Sequence, residues 1–81
     1  MGNRQPLKSF DELTNKDLII SPIDNEVTEY LVAKNGDKYL TNGRCLYDIC
    51  QFSPKDHYRY DGEKKVGEKD NQYFQTDEIQ E

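Results

Sequence analysis

Apolar residues are scarce in this chain of 81, making up 33% of it against an average of roughly 45–50% counted with glycine. Nowhere do they gather into the run of about 18 that a membrane-spanning helix needs, and no apolar leader-type segment follows Met1. A soluble, unexported, cytoplasmic protein with no membrane association is expected. Met1-Gly2 opens like a myristoylation signal, but that pattern wants Ser or Thr at the sixth position, where this chain has Pro6.

Reactive side chains are equally sparse, with two cysteines and a single histidine. Two cysteines without a leader suggest a reducing compartment. On a helix, Cys45 and Cys50 would stand roughly 140° apart, unsuitable for a mutual disulfide. A zinc site from Cys45, Cys50 and His57, with Asp48 or Asp56, lacks the C-x2-C knuckle such sites typically show. Buried cysteines acting as small hydrophobes are the expectation, with no metal or other cofactor. For a Cys/His nucleophile pair, nothing marks an oxyanion hole or an orienting third group. Walker, G-x-G-x-x-G, H-E-x-x-H and EF-hand patterns are all missing. One domain of this size buries only about 60% of its unfolded surface, leaving little room for an enclosed active-site cavity, so no enzyme is expected.

Clustered positive charge is missing as well. Sixteen acidic residues against 11 basic ones give a net charge of −5, which disfavours an electrostatically driven nucleic-acid binder. Beyond Val66, Glu68, Asp70, Asp77, Glu78 and Glu81 face Lys69 alone, a tail worth about −4 at ordinary side-chain pKa values. It reads as solvated and solubilising.

Against these absences stand six tyrosines, three phenylalanines and one strong local signal. Val27 to Thr41, VTEYLVAKNGDKYLT, sets two strand-like runs around Asn35-Gly36. A two-residue turn there pairs Lys34 with Asp37, Val32 with Tyr39, Leu31 with Leu40 and Tyr30 with Thr41. One face would carry Val27, Leu31, Ala33 and Leu40, facing a core. The other would carry Tyr30, Val32 and Tyr39, either covered or left for a partner.

Around this hairpin the chain divides into a loose lead-in (1–8), one domain (9–75) and an acidic tail (76–81). Ser9-Phe10-Asp11-Glu12 matches a capping box and predicts a short helix over Phe10 to Lys16. Leu18-Ile19-Ile20 reads as a buried strand ended near Pro22. Cys45, Leu46, Ile49 and Cys50 recur at helical spacing, predicting a helix over Arg44 to Phe52 with Asn42 as its cap and Leu46 and Ile49 facing Leu31 and Leu40. His57 to Tyr60, with Asp61-Gly62 as a turn and Glu63 to Val66 as return strand, suggests a second hairpin, and Gln72-Tyr73-Phe74 a last strand. The fold class is α+β: a small antiparallel sheet on the 27–41 hairpin, with one or two short helices.

Lys55 to Lys65 holds the densest interleaving of aromatic and basic residues. Alternation puts Tyr58 and Tyr60 on one face and Arg59 on the other, residue types enriched at protein interfaces. The function expected is a small non-catalytic protein-binding module, an adaptor or inhibitor, docking through Tyr30, Val32, Tyr39, Tyr58, Arg59 and Tyr60. Two further readings are an acidic mimic of nucleic acid that blocks a basic enzyme groove, and weak nucleic-acid binding through Tyr58-Arg59-Tyr60 with Lys64 and Lys65. A protein partner is favoured over nucleic acid, and the oligomeric state is open.

Overall fold

The hairpin forms, but its loop is one residue longer than the Asn-Gly pair suggests. In the computed structural model, which describes residues 5–71, the Gly36 amide donates to the Ala33 carbonyl (2.9 Å) and the Ala33 amide to the Asp37 carbonyl (2.8 Å). Lys34, Asn35 and Gly36 thus form a three-residue loop, a type I turn closed by a left-handed glycine, with Gly36 at φ +92°. Asn35 reinforces it, its Oδ1 accepting from the Asp37 amide at 3.0 Å.

This extra loop residue shifts the register by one. Tyr30 pairs with Leu40, Leu31 with Tyr39 and Val32 with Lys38. Because side chains alternate with period two, a one-residue slip exchanges the faces of one strand relative to the other. The expected sets are therefore corrected: Tyr30 lies with Leu40 on one face, and Leu31 lies with Tyr39 on the opposite face.

Among the described residues five antiparallel strands make the sheet, β1 (Leu18–Ile20), β2 (Val27–Val32), β3 (Lys38–Thr41), β4 (Leu46–Asp48) and β5 (Tyr58–Arg59). Their order is β4-β3-β2-β1-β5, so the β2–β3 hairpin is central as expected. The helices are not there. Among the described residues helical structure is limited to single 3-10 turns at Phe10–Glu12, Ile49–Gln51 and Pro54–Asp56, and the fold is mostly β rather than α+β.

Each missing helix has a local cause. The capping box at Ser9 is complete, with the Asp11 amide on Ser9 Oγ (3.1 Å) and the Lys8 and Ser9 amides on Glu12 Oε2. After one turn, however, Asp17 Oδ2 takes the Thr14 amide (2.8 Å) and Asn15 Oδ1 takes the Val32 amide (2.9 Å). Side chains that offer such bonds outside a helix compete with helix propagation. In the second segment Asn42 does act as a cap, its Oδ1 accepting from the Arg44 and Cys45 amides. The turn it closes leads into edge strand β4, whose Tyr47 pairs with Leu40. Only Ile49 and Phe52 then reach the core, while Leu46 is 58% exposed and both cysteines are exposed rather than buried.

The sheet's two faces are covered unequally. On the first, Ile19, Tyr30 and Leu40 are sealed by Leu7, Phe10 and Leu13 from the N-terminal segment, with Ile49 and Phe52 against them. Leu7 belongs to this core, so the lead-in expected through Lys8 is not loose at that position; its amide donates to the His57 carbonyl at 3.0 Å. Phe10 stacks on Tyr30 at 6.3 Å between ring centroids, and His57 packs against Phe10 and Phe52. On the second face, Ile20, Val27 and Tyr60 form a smaller cluster with Leu18 and Tyr58.

That smaller cluster is closed by the chain after Tyr60, which does not return as a hairpin strand. β5 pairs with β1 instead, Ile20 opposite Tyr58 and Ile19 opposite Arg59. The expected return strand has only Val66 to bury, and Tyr60 turns back so that its hydroxyl oxygen accepts the Lys64 amide at 2.8 Å. The chain then lies along β2: the Val27 amide donates to the Glu68 carbonyl (2.9 Å), and the Gly67 amide to the Val27 carbonyl (2.8 Å). The strand expected at Gln72-Tyr73-Phe74 and the tail at 76–81 lie outside the described residues.

Candidate docking face

Residues 67–70 bond to the backbone at the start of β2, where Ile20, Val27 and Tyr60 fill the second face. Farther along β2 that face is, among the described residues, only half-covered, and the register fixes what it presents. Glu29 stands beside Thr41 and Thr41 beside Leu46; one step on, Leu31 stands beside Tyr39 and Tyr39 beside Asp48. Residues directly opposite on neighbouring antiparallel strands have Cβ atoms about 4.5–5.5 Å apart. Leu31 is therefore the direct cross-strand neighbour of Tyr39, and Leu46, opposite Thr41, lies diagonally from Tyr39 at about 7–8 Å, still within reach of an aromatic ring, so the three make an apolar patch across three strands. Leu31 and Tyr39 are half-buried, and Leu46 is the exposed end on the sheet edge.

Carboxylates frame the patch: Glu29, Asp48 and Asp37, which sits two residues before Tyr39 and accepts a hydrogen bond from its phenol at 3.4 Å. Among the described residues none of the three is paired with a basic side chain, whereas the ion pairs that do form, Lys38–Asp11, Arg44–Glu26 and Arg59–Asp17, use other acids. The Tyr39 phenol is correspondingly pushed above the usual tyrosine range, first by the negative Asp37 and then by partial burial and Asp48.

The structure separates the six residues that the sequence groups as a binding set. Tyr30, 1% exposed, and Tyr60 are core residues and are removed from it. Val32 is partly exposed but shares Tyr30's face, and so lies across the sheet from Tyr39. Tyr58 packs against the Ile20–Val27–Tyr60 cluster, on the same side as Tyr60 as alternation predicts. Arg59 points the other way, donating to the Glu12 carbonyl at 2.7 Å and standing 3.6 Å from Asp17. Tyr39 alone stays on the open patch. Its neighbours Leu31 and Leu46 are the ones that the two-residue turn and the helical spacing place in the core. Gly36 also suits the last, left-handed place of a three-residue loop Lys34-Asn35-Gly36, the alternative that sorts Leu31 correctly.

Cys45, Cys50 and His57 are not brought together; among the described residues no group of three His, Cys, Asp or Glu side chains converges. His57 is buried, and its Nδ1 donates to the Ser53 carbonyl at 2.9 Å, which ties the ring to the 3-10 turn that follows. It forms one wall of an open cleft of about 330 Å³ with Thr28, Leu40, Phe52 and Asp56. Among the described residues no helix is long and apolar enough to cross a membrane. No protein-family model, no curated protein and no solved structure matches this chain.

Proposed function

We propose that this protein is a small non-catalytic protein-binding module, an adaptor or inhibitor, that docks a partner on the open half of its sheet through Leu31, Tyr39 and Leu46. The observation that carries the reading is the unequal cover: one face is sealed by the N-terminal segment with Ile49 and Phe52, while on the other, among the described residues, Leu31 and Tyr39 stay half-buried and Leu46 is 58% exposed. Tyrosine with aliphatic neighbours suits a docking surface, because the ring buries a large area while its hydroxyl keeps a hydrogen bond.

Nucleic-acid binding through Arg59, Lys64 and Lys65 has weaker support, since the Arg59 charge already meets Asp17 and the Glu12 carbonyl. A test compares capture of partners from the native host by the wild type, by Tyr39→Ser/Leu46→Ser and by Ile23→Ser, a control at a side chain 85% exposed in a loop away from the patch. All three are expected to fold, and the first and third to retain the same partner. The reading fails if the double variant retains that partner at wild-type yield.

A further inference from the structure

We infer that the occupant of this patch is a basic segment of a partner protein, one that sets lysine or arginine among apolar side chains. The inference rests on the docking role above and adds the partner's chemistry. Three observations carry it.

First, the frame around the patch has one sign. Glu29, Asp37 and Asp48 border Leu31, Tyr39 and Leu46, and among the described residues no lysine or arginine pairs with any of them. The chain has cations to spend on ion pairs, and it spends them on Asp11, Glu26 and Asp17. Unpaired carboxylates around an apolar centre oppose an acidic partner and steer a basic one, because like charges brought together at an interface cost free energy.

Second, the centre of the patch is an aromatic ring in a negative field. Asp37 accepts a hydrogen bond from the Tyr39 phenol and Asp48 stands opposite Tyr39 on the neighbouring strand, and a lysine or arginine near that ring gains both from the carboxylates and from the ring's electron-rich face.

Third, the apolar members set the class of macromolecule. Leu31 and Leu46 flank Tyr39, one half-buried and one exposed, and offer contact to aliphatic side chains. Nucleic acid brings phosphates, which these carboxylates repel. A membrane surface with anionic lipids is disfavoured on the same ground.

The test is amide chemical-shift mapping on the full-length labelled chain, with three probes of equal length: a peptide of lysine and leucine, its glutamate and leucine counterpart, and a single-stranded oligonucleotide. The lysine peptide is expected to shift Leu31, Tyr39 and Leu46, and the other two probes to leave them unmoved. Its affinity should fall as salt rises from about 0.05 M to about 0.5 M, where screening shortens the reach of exposed charges. Glu29→Gln/Asp48→Asn, at two side chains without hydrogen-bond partners among the described residues, should weaken Kd about fivefold, the loss expected for two exposed charge contacts.

Equal binding by the double variant overturns the inference, as does equal movement of the patch by both peptides; in the second case the docking role stands and only the charge preference falls. A patch unmoved by either peptide, or occupied by the oligonucleotide, overturns it also. If, in addition, Tyr39→Ser/Leu46→Ser keeps its captured partner, the docking role falls with it.

Discussion

Exchanging a single tyrosine on each face of the hairpin separates the two possible registers. Tyr30 is 1% exposed, stacked on Phe10 and enclosed with Ile19, Leu40 and Leu13, so Tyr30→Ser removes a whole ring from the centre of the larger core. Large-to-small changes at buried aromatics cost about 3–5 kcal/mol, from lost transfer free energy together with the cavity left behind. At roughly 0.05–0.15 kcal/mol per residue the whole chain has about 4–12 kcal/mol of stability, so this variant is expected to lose a large fraction of it, with a much lower urea midpoint, and to unfold at room temperature if the total lies near the lower end. Tyr39→Ser, on the open face, should stay folded, with a urea midpoint close to the wild type. Tyr30→Leu, which keeps most of the apolar volume, should fall between them and stay measurable if the serine variant does not fold. Urea unfolding followed by far-ultraviolet circular dichroism ranks all three, with Leu31→Ala as a fourth. In the register of a two-residue turn, Leu31 would be core and Tyr30 would be peripheral. A larger loss for Leu31→Ala than for Tyr30→Ser would refute the three-residue loop and the face assignment built on it.

Gly36→Ala should cost about 1–2 kcal/mol, the penalty of a left-handed residue bearing a Cβ, since nothing lies within 4 Å of the added atom. Gly67→Ala should cost more, because the same backbone penalty is joined by a Cβ placed 2.5 Å from the Asn42 carbonyl oxygen; paired urea titrations of the two variants give the order. Both cysteines are exposed, so a thiol reagent should modify two equivalents in the native protein without a lag for unfolding, and Cys45→Ser/Cys50→Ser should leave the urea midpoint unchanged. Stability should fall as pH rises through about 10, the ordinary tyrosine value. Burial raises the Tyr30 and Tyr60 phenols, Asp37 raises Tyr39, and the hydrogen bond to Asp11 raises Lys38. In that window the unfolded chain has begun to lose protons that the folded chain still holds, so the stability these groups contribute is complete below their unfolded pKa values and is lost as pH climbs through the folded ones. Thermal melts between about pH 8 and about pH 11 measure it, and a melting point that rises across the range would contradict the assigned environments.

How far the fold was legible depends on how many residues each signal spans. The hairpin over Val27 to Thr41 rests on fifteen consecutive positions that agree in propensity and turn chemistry, and it forms. Its register rests on one distinction, whether Asn35-Gly36 is the whole loop or its last two residues, and Asn-Gly is compatible with both. The helix expected over Arg44 to Phe52 came from four residues in a nine-residue window, too short to tell a helical period from a strand followed by a turn. There Thr41 and Asn42 decide the outcome: Thr41 Oγ1 bonds the Cys45 carbonyl at 2.7 Å while Asn42 takes the following amides, which folds the chain back along β3. Leu7 carries no sequence signal, because a lone leucine beside Pro6 has no period at all; only the tertiary fold brings it to His57 and Phe10. The candidate site inherits the register error. Tyr39 was named for the right face with the wrong companions, since Tyr30 and Val32 follow from the two-residue turn.

Single exposed leucines are ordinary on protein surfaces and call for no explanation. What distinguishes Leu46 is its company. Strand β4 is held to β3 by backbone hydrogen bonds, which any residue at position 46 would supply, and the neighbours Thr41 and Asp48 show that polar side chains are accommodated on this stretch of the face. In a chain with only 33% apolar residues, every leucine outside the core is one fewer to seal it. The core nevertheless closes over Ile19, Ile20, Val27, Tyr30 and Leu40, while Leu46 lies diagonally from Tyr39, on the face that also carries Leu31. Among the described residues no contact buries Leu46, and the docking proposed above would bury it against a second surface. In that proposal the carboxylates around the patch favour a second surface that arrives with positive charge.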